Sequence, residues 1–300
     1  MTTATAKKDK VEGKHRHISL MYPFNWDGLE NFSYPVDENG IPQINMGKKI
    51  GLRYNPITIA QYGLFNLQKY SRNKEEDFLC IVQKSARWLD DNFQNWKGNI
   101  GAWVYDFDMD FYGPKAPWIS GMAQGQGISL LLRVFQILPE ERILEITQRA
   151  FQAFLHPISE GGVVSCFPDG SPVFEEFPTA PPSQVLNGHI FALLGIYDFG
   201  EFWNDKTAKE LFQVAVKGLK KNFFRYDTGY WNLYDLHPTH RLASPMYMKV
   251  HVQLLTILAE LTGDAFFQKI AINCKNYLTN PICRFRWLMG KSVEKIRLWL

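Results

Sequence analysis

SPMYMKVHVQLLTILAELTGD, residues 244–264, is the stretch on which the fold reading turns. Ser244 can accept the first free N–H groups of a helix, and Pro245 suits the first helical position. Val250, Leu254, Ile257 and Leu261 then recur at helical spacing. A second helix start follows near Asp264. The same arrangement occurs three times upstream. Asn55-Pro56, Ser120, Ser183 and Ser244 read as helix N-caps separated by 65, 63 and 61 residues. Partner helices start near Lys74, Pro139, Asp205 and Asp264. Apolar sets such as Ile57/Ala60/Leu64/Leu67, Ile128/Leu131/Leu132/Phe135 and Ile190/Leu193/Leu194/Tyr197 fill the first helices. Phe78/Ile81/Val82/Leu89 and Ile143/Ile146/Ala150/Phe154 fill partner helices. Three Gly-marked, strand-like stretches follow partner helices: Gly98 to Tyr105, Gly161 to Val164, and Gly229 to Trp231. The expectation is an all-α chain of four repeats of helix, helix and short β-hairpin. A period this long fits antiparallel helix pairs wound into a curved array or toroid.

That topology has a chemical consequence. The hairpins all lead into the N-termini of the first helices, which therefore gather on one face. Helix N-termini carry unpaired N–H groups and partial positive charge, a setting for an anionic ligand. The loops before them are rich in aromatics, among them Trp103, Tyr105, Tyr112, Trp118, Phe177, Tyr230 and Tyr234. Such rings can stack on sugars or simply pack beneath the loops.

Outside the repeats the character changes. Residues 1–17 are polar and Lys-rich and read as a disordered basic tail with no apolar core of a secretory signal. Residues 18–50 are turn-rich and read as an N-terminal arm or hairpins. Residues 51–280 form the expected helical domain, and 281–300 a basic amphipathic C-terminal tail. The 300 residues carry a net charge of +3. Residues 1–17 contribute +3 and residues 281–300 contribute +4, so the middle is −4. A nucleic-acid binder would hold its positive charge within the fold. No apolar run approaches the roughly 18 residues of a membrane span. The four cysteines are scattered without a C-x-x-C pair, which argues for free thiols in a reducing compartment rather than zinc or redox chemistry.

Three segments carry candidate chemistry. MAQGQGI (122–128) has the glycines Gly125 and Gly127 but lacks the third glycine and the lysine of phosphate loops, so helix packing or ligand approach is the better reading. FEEFPTAPPSQVLNG (174–188) sets Glu175 and Glu176 before a helix start. Adjacent residues of an extended segment point to opposite sides, so only one of the two can face a cleft. YDTGYWNLYD (226–235) is a turn followed by aromatics, with Tyr230 and Tyr234 on one side if it is a strand. Tyr247 and His251 share a helix face, where the imidazole could hold the phenol. No Ser-His-Asp order, HExxH or GxSxG motif is present.

Together the segments YNPITIAQYGL (54–64), MAQGQ (122–126), EEFPTAPP (175–182), VLNG (185–188), LGIYD (194–198), YDTG (226–229) and YDL (234–236), with Tyr247 and His251, resemble the D-glucuronyl C5-epimerases of heparosan and heparan sulfate biosynthesis. The resemblance spans roughly residues 50–278 and implies an (α/α)4 helical barrel. It implies that Glu176 is a catalytic glutamate, Tyr247 an opposing catalytic tyrosine and Tyr234 a second active-site tyrosine. It also implies substrate contacts from Tyr54, Tyr62, Trp118, Gln124, Asn187, His237, Arg241 and His251. Phe177 and His237 stand where animal members carry a tyrosine and an arginine.

The expected activity is inversion at C5 of a glucuronate unit in an anionic polysaccharide, D-glucuronate to L-iduronate, with no metal and no cofactor. Removal of an α-proton on one ring face and redelivery on the other needs two acid–base groups and a positive pocket for the carboxylate. Helix N-termini with Arg241 or His237 would supply that pocket. Two other readings stand beside it: a uronate lyase, which would expel the C4 substituent, and a non-catalytic glycan-binding relative. The expected location is cytoplasmic, with no nucleic-acid partner and a homo-oligomer allowed. The C-terminal tail either lies on an anionic membrane surface or packs as a terminal helix.

Overall fold

The computed structural model describes residues 15–297, with side chains described to residue 295. Four helix pairs follow one another along the chain. They are α1 (Pro56–Asn73) with α2 (Glu76–Asp91), α3 (Gly121–Ile137) with α4 (Glu141–Phe151), α5 (Leu186–Phe202) with α6 (Lys206–Asn222), and α7 (Pro245–Thr262) with α8 (Ala265–Thr279). A further helix, α9, spans Pro281–Arg297. The first members pack in sequence, α1 on α3, α3 on α5 and α5 on α7, and form an inner layer. Their partners lie outside. The expected (α/α)4 incomplete toroid is the architecture observed.

Local chemistry explains most helix starts. Asn55 Oδ1 accepts from Ile57 N, Ser120 Oγ from Ala123 N and Ser244 Oγ from Tyr247 N. Asp205 and Asp264 cap α6 and α8 in the same way. Two expected starts move. Lys74 is the left-handed C-cap of α1, and α2 begins after Glu75. Ser183 does not cap α5, which starts after Val185 without a side-chain cap. The Ser183 hydroxyl donates instead to Glu175 Oε2, because a buried carboxylate outcompetes a helix end for it.

Short hairpins precede the first three pairs: β1 (Gln43–Asn45) with β2 (Leu52–Tyr54), β3 (Phe93–Asn95) with β4 (Gly101–Tyr105), and β6 (Val164–Cys166) with β7 (Pro172–Phe174). β5 (Trp118–Ile119) adds to β4. All these pairings are antiparallel. The third Gly-marked stretch, after α6, forms isolated bridges rather than strands, Asp227 to Asn232 and Leu233 to Leu242.

α3 and α5 are buried nearly all round; in α3 every residue from Gly121 to Phe135 is buried. Gly125 and Gly195 let α3 and α5 touch backbone to backbone. A Cβ on Gly195 would stand 2.3 Å from Gly125 Cα, so these glycines serve helix packing. The same two helices share a buried ion pair. Arg133 Nη1 lies 2.5 Å from Asp198 Oδ2, and Ser129 Oγ donates to the same oxygen at 2.6 Å. Removing one partner of such a pair costs about 3–5 kcal/mol.

The tail expected over 1–17 lies outside the described residues up to residue 14. From His15 the chain is already anchored. That ring stacks on Phe202 (centroids 4.7 Å), and Arg16 N donates to Phe202 O. The arm then packs against the first three inner helices and shares a cavity with the fourth. Gln68 of α1 donates to the carbonyls of Tyr22 and Phe24, Arg133 of α3 lies over the Tyr22 ring, and Phe24 meets Phe191 of α5. Farther along, Trp26, Glu30 and Tyr34 of the arm line one cavity with Tyr247 of α7. Tyr22, Phe24, Trp26 and Phe32 are buried there as core.

Candidate active site

A cavity of about 230 Å³ opens at the N-terminal ends of the inner helices. The first two turns of all four contribute. Ile57, Thr58 and Gln61 come from α1, Met122 from α3, Asn187 and Phe191 from α5, and Met246, Tyr247 and Val250 from α7. The arm supplies another wall through Trp26, Glu30 and Tyr34. Glu176 enters from the loop between β7 and α5.

The paired glutamates divide as extended backbone requires. Glu175 turns into the protein, fully buried. It accepts from the hydroxyls of Ser165 and Ser183 and from Gln184 N at 2.8 Å. These bonds pin the loop, and Gln184 adopts a left-handed φ of 47° there. Glu176 therefore points the other way, into the cavity, 8% exposed and with Oε2 unpartnered. Burial, with the Glu175 and Asp235 carboxylates nearby, pushes its carboxyl up to about 8. α5 reaches the same place without a side-chain N-cap; Leu186 N donates to Tyr234 O, which leaves the N–H groups of Asn187 and Gly188 to carry partial positive charge beside the carboxyl.

Tyr247 lies in the first turn of α7, half-buried at the cavity edge. Burial and the Glu176 charge raise its phenol, while contact with Tyr234 and the Arg241 guanidinium draw it partly back. The Tyr234 ring stands edge-on to Tyr247 with centroids 4.6 Å apart, behind it rather than in the cavity wall. Arg241 lies over the Tyr234 ring at 4.9 Å. Its guanidinium is committed to Asp235, with Nε and Nη2 at 2.9 and 2.8 Å from Oδ2. Tyr112 donates to the same oxygen at 2.6 Å. Burial pushes the Asp235 carboxyl upward, and His237 N, donating to Oδ1 at 3.1 Å, opposes that push; the guanidinium fork on Oδ2 likewise favours the anion. Arg241 is thus already part of an ion pair, and it acts on Tyr247 through the field of that pair.

The remaining expected residues fall into three groups. Asn187 lines the cavity, with Oδ1 buried and unpartnered. Trp118 and His237 do not line the cavity and belong to an aromatic cluster around Tyr112 and Phe177. Trp118 stacks on Tyr105 at 4.0 Å and lies 5.9 Å from Phe177, which stacks on Tyr112, and His237 meets the Tyr112 ring edge-on. Gln124 and His251 are buried in the inner layer, with no hydrogen-bond partner on either side-chain amide atom or either ring nitrogen. Burial lowers His251 to about 3, so the ring is neutral, and it does not hydrogen-bond Tyr247. Tyr62 packs against Phe32 at 5.9 Å. Tyr54 lies apart, donating to Asp37 and packing on Trp88 at a separate cavity with Arg53 and Gln94.

Sequence reasoning passed over Trp26, Glu30 and Tyr34, which belong to an extended arm with no periodicity to mark it. Tyr105, one of the loop aromatics, packs beneath the loops: its hydroxyl donates to Asn55 Oδ1 at 2.8 Å, and its phenol is raised by burial and by Glu176.

Residues 97–276 match the profile of the D-glucuronyl C5-epimerase C-terminus. The chain belongs to the D-glucuronyl C5-epimerase family. Among the family's relatives, the chain is 37% identical over 236 residues to D-glucuronyl C5-epimerase of Caenorhabditis elegans, covering 72% of this chain and 38% of that protein. It therefore spans well under half the length of the worm protein. An uncharacterized protein of Methanocaldococcus jannaschii is 29% identical over 257 residues, covering 80% of this chain and 82% of its own. The fold is shared with cellobiose 2-epimerase from Bacillus thermoamylovorans, with a TM-score of 0.51 and 13% identity over 93% of this chain and 72% of that one. Among the described residues there is no helix long and apolar enough to cross a membrane and no cluster able to hold a metal ion.

Proposed function

We propose that this family member is a uronic-acid C5-epimerase acting on a glucuronate-containing polysaccharide. The observation that carries the reading is the placement of Glu176 and Tyr247. They come from different repeats and line one cavity at the convergent N-termini of the inner helices.

C5–H of a uronate lies α to a carboxylate and is a very weak acid. The proton leaves only if the charge developing on the carboxylate oxygens is stabilised. In this reading those oxygens are received by the side chain of Asn187 and by the N–H groups of Asn187 and Gly188 in the first turn of α5, which has no side-chain cap. Glu176 ionises before Tyr247 as pH rises, which makes it the base. It takes the C5 proton, and the electron pair of the broken C–H bond delocalises into the carboxylate. Tyr247 then delivers its hydroxyl proton to C5 from the other ring face, inverting the centre. Proton exchange with solvent restores both groups. Contact with Tyr234 and the Arg241 charge favour release of the phenol proton, against the burial and the Glu176 charge that hold it. Each acid–base group contributes roughly 10²–10⁴-fold.

The test is incubation of a heparosan-type polymer with the full chain in heavy water, followed by NMR at C5. Deuterium uptake with appearance of the iduronate configuration supports the proposal. Formation of an unsaturated sugar absorbing in the near ultraviolet would assign a lyase instead. Binding without exchange would assign a glycan-binding protein.

A further inference from the structure

We propose that α9 and the groove beneath it form a docking surface for an anionic phospholipid bilayer, separate from the cavity at Glu176. One face of α9 is fixed to the protein. Trp287 Nε1 donates to Ala243 O, Lys291 Nζ to Leu242 O, and Glu294 accepts from Leu242 N. The opposite face is a ridge of large apolar side chains open to solvent. Ile282 is 70% exposed, Phe285 63%, Leu288 56%, Met289 54% and Val293 47%. At 100° per residue these five occupy a continuous arc of the helix, a width typical of a face that sinks into an interface. Cationic residues flank the arc, Arg284 and Lys295 on one edge and Arg286 on the other.

A second feature joins this ridge. A groove of about 660 Å³ runs between α7, α8 and α9, floored by Trp231 and Trp287 and walled by Leu278 and Leu288. Lys249, Lys275 and Arg284 rim it, and among the described residues none of the three forms an ion pair. Leu288 belongs to both ridge and groove, so the two are one surface. An apolar floor under a cationic rim suits a ligand with an anionic head and a hydrocarbon body. The charge distribution favours the same partner, since residues 281–300 carry +4 against a body of −4. A polyuronate would satisfy the cations but not five exposed aliphatic and aromatic side chains. A second copy of the chain would bring the same cations face to face.

The experiment is co-sedimentation of the full chain with vesicles of phosphatidylcholine alone, or with about one-third phosphatidylserine. Sedimentation with the anionic vesicles only, weakened by raised salt, is expected. Phe285→Glu/Met289→Glu, and separately Lys249→Glu/Lys275→Glu, should each weaken binding by about tenfold or more. Lys48→Glu/Lys49→Glu, on an exposed turn elsewhere, should leave it unchanged. The helical circular dichroism of all three variants should match the parent. The proposal is overturned by absence of binding, by equal binding to neutral vesicles, or by unchanged binding in both surface variants. It is also overturned if the Lys48/Lys49 variant loses binding as fully as they do. A dimer that Phe285→Glu/Met289→Glu dissociates, with no vesicle binding by the parent, assigns the ridge to a second copy. Polyuronate binding lost in Lys249→Glu/Lys275→Glu, again without vesicle binding, assigns the groove to the polymer.

Discussion

A Cβ on Gly188 would stand 2.6 Å from Oε2 of Glu176 and 2.7 Å from its Cβ. The first turn of α5 therefore carries no side chain where the carboxyl of Glu176 must lie. Gly188→Ala is expected to displace that carboxyl while leaving the helix intact, since alanine is the better helix former. Turnover on a glucuronate polymer should fall by about 10²-fold or more, because misplacing a reacting group by an ångström is that costly. Circular dichroism should remain that of the parent. Retained turnover would separate Glu176 from the chemistry.

The rate should depend on pH through the same carboxyl. Burial and two neighbouring carboxylates raise Glu176 to about 8, and a base acts only when ionised. With the free enzyme, kcat/KM is expected to rise about tenfold per pH unit below 8 and to level above it. A profile flat from pH 6 to 9, measured by NMR of the product, would exclude Glu176 as the base.

Stability should run the opposite way. The folded value near 8 lies above the ordinary 4.5, so the folded state holds the proton more tightly than the unfolded chain. The resulting stabilisation is complete below about pH 4.5 and is lost as pH rises through about 8, with a slope of at most about 1.4 kcal/mol per pH unit. Glu176→Gln cannot ionise and escapes this loss. Its melting temperature relative to the parent should climb across that window and stay higher above it. An offset independent of pH would contradict the burial of an ionisable group there.

Which features were readable from the chain alone follows from how far their causes reach. The caps at Asn55, Ser120, Asp205, Ser244 and Asp264 depend on atoms a few residues away, so spacing alone revealed them; three of them, Asn55, Ser120 and Ser244, open helix pairs. Ser183 misled because its partner, Glu175, belongs to a buried cluster that also draws on Ser165. The alternation of Glu175 and Glu176 was legible; which of them faces the cavity depends on those distant hydroxyls. The arm was illegible as a cavity wall. An extended segment has no periodicity, and its burial is decided by Gln68, Arg133 and Phe191, far along the chain. Arg241 illustrates the same limit, since its charge is taken up by Asp235.

The loop around Glu175 offers a separate check. Ser183→Ala removes one of three donors to a fully buried carboxylate. A loss of about 1–3 kcal/mol in denaturant unfolding is expected, with reduced turnover as Glu176 loosens. An unchanged unfolding midpoint would mean that this hydroxyl does not hold the loop.

Deuterium exchange at C5 of a glucuronate polymer, followed by NMR in heavy water for the parent, Glu176→Gln and Tyr247→Phe, tests the account most directly. The parent should incorporate solvent deuterium and yield both C5 configurations. Glu176→Gln should show no exchange from the glucuronate side, and Tyr247→Phe should yield no inverted product. Parent-like exchange and inversion in both variants would contradict the assignment of these two side chains to opposite faces of the sugar.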